Sequence, residues 1–147
     1  MGDGDVHEAA AALGVGSGWG THLGVAGTSN SSVPVATSKT EKAATAFGQT
    51  RTTASPASLA VMAASVARES YIEPALIRSP VVPGADRAPK PLNAKADGEL
   101  RGLMRLVVTS GAGADLISVP GAPVYAKTGT AEFGPNNPPA THAWFVG

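Results

Sequence analysis

Two extended runs rich in apolar residues, at 124–133 and 142–146, are separated by Gly134-Pro135-Asn136-Asn137-Pro138-Pro139. No other feature constrains the fold of this chain as strongly. β-Branched and aromatic residues favour strand in both runs, and a stretch of glycine, asparagine and proline interrupts regular structure between them. The chain is therefore expected to fold back on itself as an antiparallel hairpin. The first run has a distinctive centre, Lys127-Thr128-Gly129-Thr130. Alternation on a strand puts Thr128 and Thr130 on one face, Lys127 and Gly129 on the other. Two hydroxyls on one face, with backbone exposed beside a glycine, suit an extended substrate that carries a carboxylate.

The rest of the chain reads as support for this strand. Ser55 is a good N-cap and Pro56 a good first helical residue. Leu59, Met62, Ala63 and Val66 then fall on one apolar face, so a buried helix is expected there. A second helix is expected over 97–109, with Leu100, Leu103, Met104 and Val107 on its apolar face and Ser110-Gly111 ending it. Residues 5–13 are alanine-rich and read as helix closed by Gly14 and Gly16. Residues 71–77 read as a short extended piece, which Pro74 confines to a sheet edge. Residues 15–34 read as a surface loop anchored by Trp19, Leu23 and Val25, and 37–45 as polar with weak patterning. Loops are expected over 79–95 and 111–122. There are no internal repeats, and the fold class expected is α+β, with helices packed against an antiparallel sheet.

At 147 residues the chain has the size of one domain. Eleven basic residues balance eleven acidic ones, so no overall field draws nucleic acid or an anionic membrane. The absence of cysteine excludes disulfides, thiolate zinc sites and a thiol nucleophile. No run is long and apolar enough to span a bilayer, and Met1-Gly2-Asp3-Gly4 is not a signal peptide. The apolar run Ala143-Trp144-Phe145-Val146-Gly147 resembles a strand in progress, so residues 1–147 are expected to be a piece of a longer protein. His7, His22 and His142 share no metal-ligand spacing, and neither a metal nor a cofactor is expected. His142 is expected to make a structural hydrogen bond and Glu132 a local ion pair. Arg51 is expected to be solvated, and Trp19 and Trp144 to be packing anchors.

Lys-Thr-Gly on a strand is one of three elements shared by penicillin-binding proteins and class A β-lactamases. Its setting adds to the likeness. Leu23-Gly24-Val25-Ala26-Gly27, Phe47-Gly48-Gln49, Ala54-Ser55-Pro56-Ala57-Ser58-Leu59-Ala60 and Glu73-Pro74 occur in the order expected of a penicillin-binding protein transpeptidase domain. So do Leu103-Met104-Arg105-Leu106-Val107-Val108, Tyr125 to Glu132, and His142 to Gly147. The chain thus resembles the C-terminal part of such a domain, of the class B-like kind, over nearly its whole length.

The resemblance implies a serine D,D-transpeptidase that cross-links peptidoglycan stem peptides ending in D-Ala-D-Ala and is acylated by β-lactams. It assigns Lys127 a positive charge near the serine of the second family motif. It assigns the hydroxyls of Thr128 and Thr130 the substrate carboxylate, and the Thr130 backbone N–H one place in the oxyanion hole. Gly129 leaves room for the substrate backbone. The family's nucleophile lies in Ser-x-x-Lys, followed by Ser-x-Asn. No serine here has lysine three residues on, and Thr28-Ser29-Asn30 imitates the second motif in the wrong place. The nucleophile is therefore expected outside this chain, along with the remainder of the domain and any membrane anchor. The parent protein is expected on the extracytoplasmic face of the membrane or in the cell wall, and residues 1–147 alone are expected to be inactive. Two alternatives within enzymes are a class D-type β-lactamase and a β-lactam sensor domain. A non-catalytic binding or scaffold fragment is the alternative from another class.

Overall fold

A computed structural model describes residues 2, 4–23, 31–77, 80 and 83–147. Helices and antiparallel strands make up two compact units, Met1–Leu92 and Asn93–Gly147. The α+β expectation holds, with the strands arranged as two separate two-stranded ladders. The Leu23–Gly27 loop, after its first residue, and Thr28-Ser29-Asn30 lie outside the described residues.

In the first unit, α1 (Asp5–Ala12) ends at a turn where Gly14 adopts φ +90. A Cβ at Gly14 would sit 2.2 Å from the Tyr71 ring, so both conformation and space require glycine there. Where described, residues 15–23 are more regular than the loop expected. Trp19 opens a short helix, α2 (Trp19–His22), and is itself buried, as is Val15. Helix α3 (Lys39–Thr45) occupies the polar stretch. Ser38 caps it by accepting the Glu41 N–H at 3.1 Å, and Glu41 reaches back to the backbone N–H and hydroxyl of Thr37, each at 2.6 Å. Helix α4 (Pro56–Arg68) begins at the residue expected, with the Ser55 hydroxyl accepting the Ser58 N–H at 3.2 Å. It is less buried than expected. Only Ser58, Ser65 and Val66 are inaccessible, and Leu59, Met62 and Ala63 are half-buried. The small side chains on α4 leave little to fill the space against its neighbours. Strand β1 (Ser70–Tyr71) pairs with β2 (Lys90–Pro91), so the extended piece after Tyr71 carries no ladder.

The second unit opens with the longest helix, α5 (Ala94–Ser110), three residues earlier than its apolar pattern indicated. Asn93 sets that start by accepting the Ala96 N–H at 3.0 Å. The buried face is Asp97, Met104 and Val108 rather than the expected set, and Leu103 is 63% exposed. What packs on the helix selects the face: the Ala126 N–H donates to the Met104 carbonyl at 3.1 Å, and Arg105 Nη1 donates to the Val124 carbonyl at 2.8 Å. Val108 and Ala126 are fully buried. Gly111 ends α5 where a Cβ would lie 2.9 Å from the Val107 carbonyl oxygen. A 3-10 turn (Ala114–Ser118) then leads into strands β3 (Lys127–Phe133) and β4 (Ala140–Val146). Among the described residues, no helix is long and apolar enough to cross a membrane.

Candidate functional site

Strands β3 and β4 form the expected hairpin, in an antiparallel register that pairs Lys127 with Val146, Gly129 with Trp144, Ala131 with His142 and Phe133 with Ala140. Directly opposed residues share a face. Lys127, Gly129, Ala131 and Phe133 therefore lie with His142 and Trp144. Thr128, Thr130 and Glu132 lie with Phe145 and Ala143 on the other face. Glu132 makes no ion pair with a described residue, which corrects the local pairing expected for it. His142 also departs from expectation. Its ring stacks on Phe133, with centroids 4.1 Å apart and planes 14° apart, and meets Trp144 edge-on at 6.5 Å. The imidazole thus contributes packing across the hairpin instead of a structural hydrogen bond.

Three properties of β3 bear on its chemistry. First, β4 is its only strand partner among the described residues, so its outer edge carries no ladder. Second, Lys127 is exposed and has no carboxylate partner among the described residues. Its ammonium folds back on the Thr128 carbonyl, so the positive charge remains uncompensated beside the hydroxyl strand. Third, nothing in the fold demands a glycine at 129. The backbone there is not left-handed, and a Cβ would meet only Trp144 Cβ, at an ordinary 3.7 Å. Thr128 is half-buried and Thr130 exposed. The arrangement offers a strand edge that joins no ladder of described residues, two hydroxyls on one face and a lysine charge. It can bind and orient an extended anionic ligand.

Arg51 is not simply solvated. Its Nε donates to Glu41 Oε1 at 2.6 Å and its Nη2 to the Val35 carbonyl at 3.2 Å. Arg51 and then Thr37 hold the Glu41 carboxyl down from 4.5 to about 2. The histidines are spread through the structure. His7 Nδ1 lies 2.6 Å from the Val33 carbonyl, and His22 Nδ1 lies 2.6 Å from Glu73 Oε1. The His22–Glu73 contact links residues far apart in sequence and had no local signal. Among the described residues no cluster of three or more His, Asp or Glu side chains is arranged to hold a metal.

Compared with family models, the chain matches the penicillin binding protein transpeptidase domain over residues 1–147. No curated protein matches the chain, and no solved structure does.

Proposed function

The chain belongs to the penicillin-binding protein transpeptidase family, and from that premise we propose that β3 is the substrate-carboxylate and oxyanion wall of a serine D,D-transpeptidase. A Lys-Thr-Gly-Thr strand whose outer edge joins no ladder of described residues, and whose glycine no described neighbour requires, carries this reading. The stem peptide lies extended along β3, with its terminal carboxylate on the Thr128 and Thr130 hydroxyls. Its backbone passes over Gly129. The serine hydroxyl oxygen attacks the penultimate D-Ala carbonyl, and the developing oxyanion takes the Thr130 N–H as one of its donors. Collapse of the tetrahedral adduct breaks the amide bond and releases the last D-Ala. The acceptor amine then attacks the acyl-enzyme, restoring the serine and forming the cross-link. Lys127 contributes positive charge to this side of the cleft. A β-lactam enters as the same substrate shape and stops at the acyl stage.

No serine of this chain has lysine three residues on, so the nucleophile comes from a Ser-x-x-Lys segment outside these residues. The complete protein is a class B-like enzyme anchored on the extracytoplasmic face of the membrane. Its test is labelled penicillin applied to residues 1–147 alone and to the protein carrying the upstream segment. The expected result is a covalent label on an upstream serine, none on residues 1–147 alone, and slower labelling after Lys127→Ala. Labelling that ignores Lys127→Ala would overturn the assignment of β3. An upstream sequence without Ser-x-x-Lys would favour the second reading, a non-catalytic binding or scaffold protein, for which the missing nucleophile is the specific observation.

A further inference from the structure

The first unit contains a cavity of about 360 Å³ between α4 and the segment that follows β1. On α4 it is lined by Ala60, Ala64 and Arg68, which fall one turn apart on a single face. The segment 72–75 forms the opposite wall, and Arg87 also lines it. Alanines on the helix leave the space open instead of filling it.

Two further observations indicate what fits there. The backbone of Ile72, Glu73 and Ala75 makes no hydrogen bond with a described residue, because pairing with β2 stops at Tyr71. Among the described residues the cavity wall is thus an extended edge, interrupted as a donor at Pro74, that no ladder occupies. Arg68 and Arg87 have no carboxylate partner among the described residues. The one acid in the cavity, Glu73, makes no ion pair with either arginine, and its oxygens have other partners. Oε1 lies 2.6 Å from His22 Nδ1, and Oε2 accepts the Asp86 N–H at 3.1 Å. The nearby Asp86 is itself paired with Lys90 at 3.0 Å.

We propose that this groove binds an extended peptide bearing an acidic side chain. The peptide adds to the 72–75 edge through its backbone and places its carboxylate on Arg68 and Arg87. The volume falls near the lower end of small-ligand pockets, roughly 300–1,000 Å³, so it suits a short segment. All the residues that line the groove belong to the first unit.

Fluorescence anisotropy on the whole chain tests the proposal, with a labelled, end-capped peptide of alternating valine and glutamate. Saturable binding is expected, weakened about tenfold by Arg68→Gln or Arg87→Gln, the scale of one lost charge-assisted contact. Replacing glutamate by glutamine in the peptide should weaken binding to the same degree, and N-methylating its backbone should abolish it. Lys39→Gln, away from the groove, should leave binding unchanged. Absence of saturable binding would overturn the proposal. So would equal affinity for the glutamine peptide or for the N-methylated peptide, or an equal loss with Lys39→Gln.

Discussion

Gly129→Ala separates two reasons for a glycine, a fold that needs it and a ligand that needs it. The added methyl would lie 3.7 Å from Trp144 Cβ, in ordinary van der Waals contact, and the backbone is not left-handed. The fold therefore has nothing to lose. Glycine within a strand is destabilising by roughly 0.5–1 kcal/mol relative to alanine, so the variant should be as stable as the parent or slightly more stable. The ligand fares differently. In the proposed mode the substrate backbone lies against the strand edge at 129, and a methyl there crowds it and disrupts its hydrogen bonds. Losing one or two such bonds, at ~1 kcal/mol each, weakens engagement by about 5- to 30-fold. The measurement is paired. Denaturant unfolding of residues 1–147 reads stability, and the rate of penicillin acylation in the nucleophile-containing protein reads engagement. Unchanged acylation would refute the argument that the glycine serves the ligand, and a large loss of stability would refute the packing argument.

Three other outcomes follow from the same structure. Val108→Ala removes two methyl groups from a fully buried site on α5. It should destabilise the second unit by about 2–3 kcal/mol in denaturant unfolding, transfer and cavity terms together. The Glu41 carboxyl is held at about 2 by Arg51 and Thr37, below its ordinary 4.5. Its contribution is therefore present above the ordinary value and is lost as pH falls through that window towards 2. The stability gap between parent and Glu41→Gln should close in acid, and a gap constant with pH would contradict this. Leu103 and Leu106 are 63% and 56% exposed on α5. Sedimentation of residues 1–147 should show concentration-dependent association that Leu103→Ser with Leu106→Ser reduces; a strictly monomeric parent would oppose this.

Local chemistry made some elements legible. Ser55 and Pro56 announced the start of α4 because a side-chain acceptor and a missing N–H are both decided within one turn. The hairpin and the site strand were legible because strand propensity and a proline-glycine interruption act on neighbouring residues. Helix α3 was missed although it carried a signal, Ser38 with Glu41 three residues on, which outweighs weak apolar patterning. Helix α2 had no such signal, being a single turn whose order depends on burying Trp19. The α5 face differs from the expected one because four apolar residues suggested one stripe, while the segment before β3 bonds to the Met104 carbonyl and to Arg105. The groove between α4 and residues 72–75 was invisible in sequence, since neither arginine belongs to a pattern and the wall comes from separate elements.

The connection between β3 and β4 is exposed and rich in proline, the sort of segment in which insertions and deletions are ordinarily tolerated. Here its length decides which side chains of β4 stand opposite which residues of β3. In the observed pairing Gly129 sits over Trp144 and Ala131 over His142, while the two threonines face Phe145 and Ala143. A slip of one residue in β4 would carry the indole and the imidazole to the threonine side and bring Ala143 or Phe145 opposite the glycine. The length of a surface turn thus sets which side chains meet across the hairpin.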